Sequence, residues 1–148
     1  MFRRILASSA AGLLLAAGLS AAPTPAPPAS AAVDNSIGVI TAPRQAWKPQ
    51  CARYRLNWRF TPPAGNDGWT VIANIIEPRG FSIRSEFWDS NSPNKLGQTT
   101  GSLTFPMCGS SIKPGRYKIK MQMIVTDGRD EITLNRAPTY FKIFRKRR

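Results

Sequence analysis

Residues 52–60 constrain this chain more than any other stretch: Ala52, Tyr54, Leu56, Trp58 and Phe60 alternate without a break with Arg53, Arg55, Asn57 and Arg59. Successive side chains of an extended strand point to opposite faces, so a period of two gathers the apolar residues on one side and the basic ones on the other. A helix would spread both sets around its circumference. The segment therefore reads as a strand with one face in a core and one cationic face in solvent.

The same signature recurs further on. Tyr117, Ile119, Met121, Met123 and Val125 alternate with Lys118, Lys120 and Gln122, opened by Pro114-Gly115 and closed by Asp127-Gly128. Trp69 to Ile76 is apolar on nearly both faces, which is the composition of a central strand. In 81–88, Phe81, Ile83 and Phe87 oppose Arg84, Glu86 and Trp88. Shorter runs lie at Ile37 to Ile40, Leu103 to Met107 and 139–145, the last with Phe141 and Ile143 inward and Lys142 outward. Turn-forming Gly, Pro, Asn and Asp separate the runs, and 89–101 and 127–136 read as loops. There is no internal repeat. The pattern predicts an all-β chain, about seven strands in an antiparallel sandwich.

The N terminus has the three parts of a secretory signal: Arg3 and Arg4, an apolar run from Ile5 to Ala22, and the small-residue exit Ala29-Ser30-Ala31. Residues 1–31 are expected to be removed as a signal peptide. A retained membrane anchor is the rival, disfavoured because the run is built of Ala, Gly and Ser more than of Leu and Ile. Residues 32–148 remain as a single β-sandwich domain, of a size to bury one modest core. The leader carries two of the 21 Lys and Arg and none of the eight Asp and Glu, so 19 cations face 8 acids and the net charge is +11. Charge of that size does not choose a fold, but it concentrates anionic partners at the surface.

Two cysteines in an exported chain form one disulfide, Cys51–Cys108. Closing a loop of about 58 residues removes unfolded-state entropy worth about 4 kcal/mol in the chain model. A catalytic thiol would need a partner base, and the chain has no His.

The strand pattern resembles that of secreted bacterial immunoglobulin-like or fibronectin-type domains. Ile112-Lys113-Pro114-Gly115-Arg116-Tyr117 is similar to the entry of the tyrosine corner of such folds, which implies that Tyr117 is buried with its hydroxyl bonded to backbone at Lys113 or Ile112. The cysteines depart from the antibody arrangement. Cys108 precedes Tyr117 instead of following it, so the bridge is not the inter-sheet one, and Cys51 shares the parity of the arginines, which places it toward the edge of the domain. A fold so widely used implies no activity.

No catalytic, metal or cofactor motif emerges. Without His the commonest general base is missing. Among the acids Asp127, Asp130 and Glu131 cluster, but beside an Asp-Gly turn they read as solvated hairpin residues. Asp89-Ser90-Asn91-Ser92-Pro93-Asn94 offers alternate oxygens to calcium with one carboxylate where several are the rule. Gly65 to Gly68 lacks the Lys and the helix of a phosphate loop.

The basic residues are left as the candidate site: Arg53, Arg55 and Arg59 on one strand, Lys118 and Lys120 on another, and Lys142, Arg145, Lys146, Arg147 and Arg148 at the C terminus, the last four read as a flexible tail. The expected function is a non-catalytic secreted protein that associates with anionic envelope or extracellular polymers, or with a membrane surface, through these faces and tail. The alternative is a protein-binding module, an inhibitor or adhesion domain, using loops 89–101 and 127–136 with Trp88 as anchor. A small carboxylate-dependent hydrolase is the remote third. Sequence-specific nucleic-acid binding is not expected, because no reading module is present.

Overall fold

The computed structural model describes residues 33–108 and 112–146. The leader, with the expected signal peptide, and Arg147 and Arg148 lie outside the described residues. Strands β1 (Gly38–Thr41), β3 (Ala52–Phe60) and β6 (Thr100–Met107) form a sheet in the order β1-β3-β6. Strands β2 (Gln45–Ala46), β4 (Gly68–Ile76), β5 (Ser82–Asp89), β7 (Gly115–Asp127) and β8 (Asp130–Phe144) form a second in the order β2-β8-β7-β4-β5.

The alternation of β3 does what its period requires. Tyr54, Leu56, Trp58 and Phe60 are buried while Arg53, Arg55 and Arg59 are exposed. In β7, Tyr117, Ile119, Met121, Met123 and Val125 point inward. The two inner faces meet through aromatic rings: Trp58 and Phe60 of β3 each lie 5.5 Å from Trp88 of β5, and Phe60 lies 5.7 Å from Trp69 of β4. Full burial of each such side chain contributes about 1.5–3 kcal/mol. Gly101, paired with Trp58, leaves room for the indole ring, which a Cβ at that position would overlap.

On one side the sheets are drawn together. The Thr139 hydroxyl donates to the Ile40 carbonyl at 2.6 Å, and the Gln45 amide accepts from Arg55 N at 2.7 Å and donates to Arg55 O at 3.2 Å. The other side, between β5 and β6, is open. Its cleft is lined by Leu96, Leu103 and Phe105 and by the Arg84–Glu86 ion pair, 2.6 Å.

Several expectations are corrected by the register. The 127–136 segment is not a loop: β7 runs to Asp127, Gly128-Arg129 makes a two-residue turn with Gly128 at φ 62°, and β8 pairs from Asp130 onward. Its sequence hides the strand because its first residues are largely exposed and Pro138 interrupts it. The β7–β8 register shifts between Ile119 and Met121, which leaves the donor-less Pro138 outside the ladder. Strand β2, only two residues long, was not anticipated, and it pairs with β8 in parallel, so the domain is not purely antiparallel. Within 89–101, Lys95–Gly97 is a 3-10 turn and β6 begins at Thr100.

Trp88 is fully buried, because its pairing with Val71 turns it inward, while Phe81 and Phe87 are exposed. An indole held inside the core cannot anchor a partner at the surface.

The tyrosine corner is present. Tyr117 is fully buried, stacked on Phe141 at 5.3 Å, and its hydroxyl donates to Lys113 O at 2.8 Å and accepts from Lys113 N at 3.1 Å. Burial pushes the phenol pKa up, and the bonding at Lys113 opposes that only in part. Cys51 and Cys108, both exposed, join the start of β3 to the end of β6 with Cα atoms 4.0 Å apart. The bridge thus ties neighbouring strands of one sheet at the edge of the domain.

Candidate functional site

The chain's path places its charges. Connections β3–β4, β5–β6 and β7–β8 lie at one end of the molecule; connections β4–β5 and β6–β7, the disulfide and the end of β8 lie at the other. Six of the eight acids fall at the first end. Asp127, Asp130 and Glu131 flank the hairpin tip, Asp67 accepts from Gly128 N at 2.7 Å, Asp89 closes β5, and Asp34 lies beside Asp127. Asp34 is held below the ordinary carboxylate range by the Ser36 hydroxyl and backbone N–H that bond to it. The other two acids are paired: Glu77, buried, with Arg79 at 2.8 Å, and Glu86 with Arg84. The carboxylate of Glu77 raises the Arg79 pKa above its ordinary value.

Among the described residues, the outer face of the three-stranded sheet is consequently free of carboxylates. Arg53, Arg55, Asn57 and Arg59 form its central row. Pro106, Thr104, Ser102 and Thr100 stand opposite them on β6, with Thr41 and Val39 on β1 beside Asn57 and Arg59. Alternate residues repeat at about 7 Å, so the row from Arg53 to Arg59 is about 20 Å long. Guanidinium forks, hydroxyls and an amide are the groups that bind phosphate oxygens, and Arg does so with two parallel bonds. Among the described residues no aromatic side chain lies on this face.

Lys118 and Lys120 belong elsewhere. They sit on the outer face of the five-stranded sheet, with Arg116 paired to Lys142, Lys118 to Tyr140, and Lys120 to Asn74. Arg116 lies 3.8 Å over the Tyr140 ring, which covers one side of the most exposed aromatic near these cations. Farther along the same face Phe87 pairs with Ile72, making it apolar toward the β5 edge.

A third group occupies the disulfide end. Arg145 lies 5.3 Å over Trp47, whose indole N–H donates to Ile112 O at 2.7 Å, and Arg44 lies 4.4 Å over Phe144. Arg145 is therefore stacked on the domain and is not part of a free tail, although it and Lys146 are both exposed to solvent.

Among the described residues, the basic side chains singled out in the sequence thus divide into two opposed faces and one end. Arg116 was missed although it precedes Lys118 and Lys120 in phase. The hydroxyls of Thr100, Ser102 and Thr104 had no signal, because only strand pairing brings them beside the arginines.

Among the described residues no group of three His, Cys, Asp or Glu side chains is placed to hold a metal ion. The oxygens of 89–94 are spent on their own loop: Asp89 accepts from Asn91 N at 2.8 Å and Thr70 Oγ1 at 2.9 Å, and Asn94 accepts from Leu96 N at 2.8 Å. No helix among the described residues is long and apolar enough to cross a membrane. The chain matches no described protein family and no curated protein sequence.

Proposed function

We propose that this protein is a secreted, non-catalytic domain that binds anionic polymers of the cell envelope or its surroundings through its basic strand faces. The reading rests on one observation: a row of three exposed arginines flanked by hydroxyls, with no carboxylate on the same face among the described residues.

Phosphate-bearing chains suit such a row better than carboxylate or sulfate chains of irregular charge spacing. Two residues of extended strand contain six backbone bonds. A phosphodiester chain with a three-carbon linker also has six bonds between successive phosphorus atoms, so the two extended repeats have similar length. The absence of an aromatic among the described residues of the arginine face favours a chain without bases, such as the glycerol phosphate of wall teichoic polymers, over single-stranded nucleic acid, which gains from stacking on aromatic side chains. Export is supported by the Arg3-Arg4, apolar and Ala29-Ser30-Ala31 pattern and by the oxidised cysteine pair. The immunoglobulin-like reading of the fold is supported by the Tyr117–Lys113 corner and the two-sheet core, with the strand order and the parallel β2 as departures.

Binding to glycerol-phosphate polymer across a salt series tests the proposal. Each phosphate neutralised contributes about −0.7 to the slope of log affinity against log salt for a single chain. The Arg53→Gln/Arg55→Gln/Arg59→Gln variant should therefore lose about two from that slope. An unchanged slope and affinity would remove the arginine row from the function.

A further inference from the structure

We infer that one molecule holds two polymer chains at once, one against each sheet, and so cross-links them. This rests on the anionic-polymer reading and adds to it a consequence of topology. Trp58 and Phe60 of β3 meet Trp88 and Trp69 of β5 and β4 across the core, so Arg53, Arg55 and Arg59 necessarily point away from Arg116, Lys118 and Lys142. Stacked sheets lie about 10 Å apart, and each outer layer of long basic side chains adds to that separation.

A chain lying along the arginine row cannot touch the other face locally. The basic path from one face to the other runs around the disulfide end, past Lys113 and Arg145, and a single chain that followed it would have to double back. Like charges along a polyanion resist that reversal, because the chain repels itself and stays extended. In a dense layer of polymer, a second chain is the easier occupant of the second face. Both sets can be engaged together because neither is neutralised from within: Glu77 and Glu86 are bound to Arg79 and Arg84, and the remaining acids lie at the far end.

The test uses the full-length protein with glycerol-phosphate chains in two preparations, one labelled with a donor fluorophore and one with an acceptor. With oligomers about 20 Å long, the length of one row, titration should give two oligomers per molecule for the natural sequence. It should give one for Arg53→Gln/Arg55→Gln/Arg59→Gln and one for Arg116→Gln/Lys118→Gln/Lys142→Gln. With long chains at sub-saturating protein, energy transfer between the two labels should appear at low salt with the natural sequence and vanish with either variant. Fluorescence anisotropy of a single labelled chain should show that both variants still bind. All altered side chains lie on outer faces, and thermal melting of each variant checks its folding independently.

One oligomer per molecule of the natural protein overturns the inference and leaves the binding reading standing. So does long-chain binding without energy transfer, which is the result for one chain wrapped around the end. Loss of all binding to glycerol phosphate at low salt overturns both. If unlabelled oligothymidylate displaces the chains more strongly than unlabelled glycerol phosphate does, the occupant is nucleic acid and the bridging of base-free chains is refuted.

Discussion

Replacing Tyr117 with Phe isolates one oxygen atom on which the β6–β7 corner depends. The ring is fully buried and stacked on Phe141, and Phe keeps that packing. What disappears is the hydroxyl, which bonds to both the N–H and the C=O of Lys113 at 3.1 and 2.8 Å. A net hydrogen bond in a folded protein contributes about 0.5–1.5 kcal/mol, so the pair should be worth about 1–3 kcal/mol. Unfolding entropy of about 2.1 cal/mol/K per residue, over roughly 115 residues, gives about 0.24 kcal/mol/K, and the midpoint should fall by about 4–12 °C. Thermal melting followed by circular dichroism measures this directly, with Tyr140→Phe, at a half-exposed position, as the control expected to change nothing. If the two variants melt together with the natural protein, the bonded corner contributes no stability and the reasoning fails.

Three further outcomes follow from the same structure. Reduction of Cys51–Cys108 should lower unfolding free energy by up to about 4 kcal/mol, read from denaturant titrations with and without reductant, and free-thiol titration of unreduced protein should find no reactive group. Because burial raises the Tyr117 pKa in the folded state, its contribution should be complete below the ordinary phenol range near 10 and be lost as pH rises through the folded value; the natural protein should lose more stability over that range than Tyr117→Phe does. Removal of residues 146–148 should leave the melting temperature unchanged while weakening adhesion to polyanion at low salt, whereas removal from Arg145 onward should also disturb the Trp47 stack. Equal melting temperatures for the two truncations would show that the stack is not stabilising.

Where a strand buries one face and exposes the other, the alternation of residues carries the structure, and 52–60 and 117–125 are legible for that reason. Burial of Tyr117 and its bond to Lys113 were also legible, because a Pro-Gly turn before a long alternating strand leaves the phenol few other partners. Elements whose order comes from a neighbour were opaque. The first part of β8 offers only Ile132 and Leu134 as apolar residues in the inward phase before Arg136 and Pro138 and is ordered by the hairpin with β7, and the two residues of β2 are held by pairing to β8 and by the Gln45–Arg55 bonds. Trp88 illustrates the same limit: in 81–88 both parities contain aromatics, and only pairing with Val71 decides which enters the core. The candidate cations could be found one strand at a time, but not their division between opposite faces, since that depends on which sheet each strand joins.

The side chain of Gln45 has a consequence for the protein at high concentration. Strand β1 accompanies β3 only from Phe60 to Asn57, so toward Cys51 the backbone of β3 would present an unpaired edge to other molecules. Such an edge is a template for strand addition between copies, the first step of amyloid-like aggregation. The Gln45 amide occupies the N–H and the C=O of Arg55 together, in the manner of a strand one residue long. A single side chain thereby caps the β3 edge at Arg55, where a strand of a second copy would otherwise find both a donor and an acceptor.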